Sequence, residues 1–74
     1  MGKADLTAEE IRARLEAGEV LFLSEPTARG RILRVEDDKG AARVVFIGSF
    51  TGVELPYRVR TDATVQVAVK VEEG

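Results

Sequence analysis

The sequence predicts an α+β fold that is mainly β: a short N-terminal helix, then a five-stranded antiparallel meander bent into a small barrel. Three observations carry the expectation. A helix-start signal, Thr7-Ala8-Glu9-Glu10, occurs early in the chain. Residues 53–60 and 64–72 alternate apolar and polar side chains, the period of a strand covered on one face. Turn-forming residues cut the rest of the chain into strand-length pieces. A length of 74 residues leaves room for one core, so residues 1–74 are read as one small domain.

The helix is expected over 8–17. Thr7 and Glu10 have the spacing of a capping box, in which each side chain accepts from the other's backbone N–H. Leu6 and Ile11 stand at the staple positions, and Gly18 follows as the stop. The apolar stripe of Ala8, Ile11 and Leu15 is short, so the helix must lean on a sheet. The first strand, 19–24, contains Val20-Leu21-Phe22-Leu23, which is apolar on both faces and therefore covered on both.

Residues 28–36 and 41–48 are expected to form a hairpin. A four-residue loop, Asp37-Asp38-Lys39-Gly40, sets Glu36 opposite Ala41, Leu33 opposite Val44 and Arg34 opposite Arg43. Gly30 marks the bend in the longer strand. Strands 53–60 and 64–72 are joined by Thr61-Asp62-Ala63. Pairing them faces Val59 with Val65, Tyr57 with Val67 and Glu54 with Lys70, so hydrophobic faces and charges select one register. Pro56 has no N–H to give and belongs at an unpaired edge or a bulge. The expected core is Leu15, Val20, Phe22, Leu33, Val35, Val44, Phe46, Leu55, Tyr57, Val59, Val65, Val67 and Val69.

Composition excludes several chemistries. The chain has no Cys and no His, which removes disulfides, thiol nucleophiles, imidazole bases and the usual zinc sites. Ser24 and Ser49 are therefore nucleophiles without a histidine base. Glu36, Asp37 and Asp38 are too few oxygen ligands for a calcium loop, and Asp37 and Asp38 read as turn formers. No cofactor, metal or catalytic residue is expected. No apolar run has the length of a membrane span and no signal peptide is visible, so a soluble, cytoplasmic protein is expected.

The net charge of −2 conceals an uneven distribution. Residues 1–25 hold three basic and six acidic side chains, and residues 28–60 hold seven basic and four acidic. The candidate binding surface is accordingly Arg29, Arg31, Arg34, Arg43, Arg58 and Arg60, with Phe50 as the aromatic that could stack on a base. The ordinary alternative is a solvated sheet face with Phe50 plugging the end of the barrel.

Helix, bent second strand and meander together resemble the SH3-like and Sm-like small barrels. Arg29-Gly30-Arg31 followed by Asp37-Asp38 is similar to the Sm pattern, in which a glycine bends the second strand and an acidic residue precedes the next turn. The base-reading asparagine of that family has no counterpart, because the chain contains no Asn. An open, curved meander wrapped on the helix, as in cystatin-like proteins, is the alternative architecture. The segment Leu6-Thr7-Ala8-Glu9-Glu10-Ile11-Arg12-Ala13-Arg14-Leu15-Glu16-Ala17-Gly18 resembles helices of computationally designed, idealised proteins.

That second resemblance implies an engineered scaffold with no evolved catalytic activity and no required partner. The alternatives are a designed binding protein for a protein or peptide target, marked by an exposed apolar patch, and a single-stranded nucleic-acid-binding domain using the arginine face. A monomer is expected, with an edge-strand dimer as the alternative.

Overall fold

The structure is a computed structural model and describes residues 2–70. Six strands and one helix follow in the order β1 (Gly2–Thr7), α1 (Ala8–Glu16), β2 (Val20–Glu25), β3 (Ala28–Asp38), β4 (Ala41–Gly48), β5 (Glu54–Arg60) and β6 (Thr64–Lys70). Val71 and Glu72, the end of the expected last strand, lie outside the described residues.

Helix α1 starts where its caps require. The Thr7 N–H donates to Glu10 Oε1 at 2.9 Å, and the Glu10 N–H donates to Thr7 Oγ1 at 3.3 Å. At the other end the Glu19 N–H returns to the Arg14 carbonyl at 3.1 Å, and the Gly18 N–H to that of Leu15 at 3.0 Å. These two bonds are the Schellman closure. Ile11 is fully buried against the sheet, which contributes about 2 kcal/mol.

The expected barrel is not what forms. All six strands lie in one antiparallel sheet of order β1-β6-β2-β3-β4-β5, and the sheet is not closed. β1 was not anticipated. Its short alternation of Lys3 and Asp5 outward with Ala4 and Leu6 inward gains a ladder only because β6 is there to pair with it. The expected pairing of residues 53–60 with 64–72 is also absent. β5 pairs with β4, whereas β6 inserts between β1 and β2. An alternating pattern fixes which face is buried, but it does not choose the neighbour.

The route from β5 to β6 shows how strongly the sheet curls. The two strands stand four places apart in the order. In a flat sheet that is about 19 Å, and the chain from Arg60 to Thr64 reaches at most about 14 Å. The sheet therefore wraps around the core that Ile11 enters.

The hairpin of β3 and β4 differs from the expected one in register. Asp38 pairs with Ala41, so the loop is only Lys39-Gly40. Both residues have positive φ (43° and 80°), as a type I′ turn requires. That turn matches the strand twist and adds Asp37 and Asp38 to the ladder. The offset is absorbed at Leu33, a bulge between the Ile32–Phe46 and Arg34–Val45 pairs. The bulge switches the inward set of β3 from Ala28, Gly30 and Ile32 to Val35. Gly30 at φ 156° lies so close to β4 that a Cβ there would sit 1.7 Å from the Ile47 carbonyl oxygen.

The core joins Leu6, Ile11, Leu21, Leu23, Ile32, Val44, Phe46, Val59, Val65 and Val67. Val20 and Phe22, expected inside, are half-buried, because Leu21 pairs with Val69 and Leu23 with Val67 on the inner face. Leu33 at the bulge is likewise half-buried. Leu55, also expected inside, is exposed because β5 is an edge. No helix among the described residues is long and apolar enough to cross a membrane.

Candidate functional site

The outer face of β3, β4 and β5 carries most of the candidate arginines, and acids already engage them. Arg34 Nε lies 2.9 Å from Glu36 and its Nη1 lies 3.0 Å from Glu54. Those two hydrogen bonds, Glu36 first, hold the guanidinium more firmly protonated. Arg43 does not face Arg34, as expected, but pairs with Glu36 on one side and Arg58 on the other. The like charges of Arg43 and Arg58 are separated by one carboxylate: Asp38 Oδ2 is 3.7 Å from Arg43 and 3.3 Å from Arg58. Arg60 lies 3.4 Å from Asp62.

The same pairings dissolve the acidic triplet. Glu36 turns to Arg34, Asp37 to Arg12 at 2.9 Å, and Asp38 to Arg43 and Arg58. No group of carboxylates among the described residues is placed to share a metal ion.

Arg29 and Arg31 differ from the rest. They have no carboxylate partner among the described residues. Both project from the outer face at the start of β3, on either side of Gly30. Arg31 pairs across the sheet with Phe22 and Ile47, so its immediate neighbours are apolar.

Arg29 is tied to the turn that carries Phe50. Its carbonyl accepts from both the N–H and the Oγ of Ser49, each at 3.0 Å. The Ser49 hydroxyl proton is thus directed to a backbone carbonyl, not to a base. The Gly52 N–H closes the turn onto the Gly48 carbonyl at 2.9 Å, and the Gly48 N–H donates to the Val53 carbonyl at 3.0 Å. A hydrogen-bonded turn of this kind holds its side chain out at little entropic cost.

Phe50 does not plug the sheet. Phe50 is 102% exposed, Val53 is 53% exposed and Leu55 37% exposed. Beside the ring lies a groove of about 390 Å³, lined by Pro26, Ala28, Phe46, Leu55, Phe50 and Arg29 among others. A second groove of about 330 Å³ opens on the outer face, where Phe22, Ala68 and Ser49 adjoin the same Arg29. Both fall in the size range of ligand sites. The sequence placed Val53 and Leu55 inside by alternation alone. The signal for their exposure was an aromatic in the Gly48–Gly52 turn, followed by an apolar residue before the strand resumes.

Pro56 sits on the free edge of β5. The Gly48–Val53 bond marks a hydrogen-bonded pair, and such pairs alternate along a ladder. Val45–Pro56 then falls at a non-bonded position, so the missing N–H of Pro56 points to solvent and interrupts that edge.

No family model matches the chain, and neither the curated proteins nor the solved structures compared with it include a significant match.

Proposed function

We propose that the chain is a protein- or peptide-binding module, and that it binds through the Phe50 turn and the groove beside it. The observation that carries this reading is a fully exposed phenylalanine on a hydrogen-bonded turn, with Val53 and Leu55 exposed beside it. Burying one such ring on a partner contributes about 2 kcal/mol, and aromatic anchors of this kind dominate interfaces. Exposed apolar clusters on an otherwise well-ordered sheet are where proteins bind. Idealised local structure elsewhere, such as the complete capping box and the type I′ turn, is equally compatible with an engineered or a natural origin.

The nucleic-acid reading is less well supported, because Arg34, Arg43, Arg58 and Arg60 each already face a carboxylate. A phosphate backbone would have to displace those acids. A scaffold that only folds has no use for the Phe50 cluster.

The test is selection from a phage-displayed random peptide library on the wild-type chain, with the Phe50→Ser variant as the negative target. Phe50 packs on nothing, so the variant keeps its fold. Peptides that bind the wild type and lose affinity for the variant support the reading. Peptides that bind both equally, or no enrichment at all, overturn it. Anisotropy of labelled single-stranded RNA and DNA at low and moderate salt tests the competing reading.

A further inference from the structure

Resting on that reading, we infer that the partner segment is acidic: an extended peptide that places an apolar side chain in the Phe50 groove and a Glu or Asp side chain against Arg29.

The charge distribution carries the inference. Arg12, Arg14, Arg34, Arg43, Arg58 and Arg60 each have a carboxylate within 3.7 Å. The two arginines without one among the described residues stand at 29 and 31 on the outer face of β3, and Arg29 is the one that borders the apolar grooves. Among the arginines of the described residues, this is where positive charge is left without a paired acid. An acidic ligand meets complementary charge there, and a basic one meets repulsion.

Geometry joins the cation to the apolar anchor. Arg29 borders both the end groove with Phe50 and the outer-face groove with Phe22, so one arginine is shared by two apolar depressions. Its backbone is pinned to the Phe50 turn by the two Ser49 bonds. Gly30 lets that stretch of β3 lie directly against β4. The backbone that bears the cation and the turn that bears the ring are therefore one hydrogen-bonded unit, and an acid next to an apolar residue in the ligand matches both at once. A guanidinium offers a carboxylate two parallel N–H donors.

The selection is read by sequence. Wild-type chain is expected to enrich peptides with an acidic residue adjacent to an aromatic or aliphatic one. A selected peptide, resynthesised with an amidated C terminus so that side chains supply its only carboxylates, is titrated by anisotropy against wild type, Arg29→Glu and Arg29→Gln. Charge reversal should weaken binding about tenfold and neutralisation less. Selection on Arg29→Glu should enrich basic residues at the same place. The side chain of Arg29 is exposed, and thermal melts of both variants check that the fold is kept.

Enriched peptides without an acidic preference, or affinities unchanged by Arg29→Glu, overturn the acidic partner and leave the Phe50 groove standing. Equal binding to Phe50→Ser overturns the groove reading itself. A wild-type chain that sediments as a dimer through Phe50 and selects no peptide overturns both, and assigns the patch to a second copy.

Discussion

The Tyr57 hydroxyl donates to Glu25 Oε1 at 3.3 Å, while the other oxygen of the same carboxylate accepts from the Gln66 N–H at 3.3 Å. Glu25 at the end of β2 thus links edge strand β5 to β6, two strands that share no ladder. Three groups bridge the opening that backbone pairing leaves.

Burial first, then the Glu25 charge and hydrogen bond, raise the Tyr57 pKa above 10.0. The folded state therefore favours the neutral phenol. Its stabilising contribution is complete below pH 10 and declines as pH rises toward the folded value. Tyr57→Phe should cost about 1 kcal/mol in denaturant unfolding and should abolish that alkaline decline. Tyr57 is the only tyrosine and the chain has no tryptophan, so tyrosinate absorbance reads the group directly.

Asp38 keeps Arg43 and Arg58 apart electrostatically. Asp38→Asn leaves like charges directly opposite each other on neighbouring strands. The expected loss is about 0.5 to 1 kcal/mol at low salt, and added salt should recover most of it by screening. Urea titrations at two ionic strengths would show this. A loss independent of salt would mean that Asp38 acts through shape instead.

Gly30→Ala should be strongly destabilising. The added carbon meets the Ile47 carbonyl oxygen at 1.7 Å, and β3 or β4 must move. About 3 kcal/mol or more is expected, seen as a lowered melting temperature. Gly2→Ala meets nothing within 4 Å and should be neutral.

The helix cap has an acid limit. Hydrogen bonds from the Thr7 N–H and hydroxyl, with Arg14 nearby, hold the Glu10 carboxyl below its ordinary 4.5. The contribution of the box is present above that pH and is lost as pH falls through the lowered value. Thr7→Ala should cost about 1 kcal/mol at neutral pH and less in acid, measured by circular dichroism of thermal unfolding.

How much could be read in advance differs from element to element. Thr7, Glu10 and Gly18 act through neighbours a few residues away, so helix α1 is legible in the sequence. Strand identity is legible for the same reason, since alternation is local. Partner choice is not. Glu54 and Lys70 made a convincing cross-strand pair on paper, yet they sit in strands four places apart. The hairpin register turned on one bulged residue, Leu33, which no periodicity announces. For the candidate site, charge spacing identified the arginines but not their ion pairs, which depend on strands brought together over long separations. Phe50 was identified as a candidate, but whether its ring would be covered depended on closure of the sheet.

Gly2 pairs with Val69, so the two ends of the described chain lie side by side. The ladder with the longest loop to close is also the one that completes the sheet, and long loops slow folding. A circular permutant would turn that liability around. A short glycine linker after β6 would make β6–β1 an ordinary hairpin, and the chain could be reopened at Lys39-Gly40, where two exposed residues carry the turn. Every strand would keep its neighbours while the β6–β1 contact became local. In stopped-flow refolding the permutant should gain rate if β1–β6 docking is limiting. If the β3–β4 hairpin nucleates the fold, cutting it should slow refolding instead.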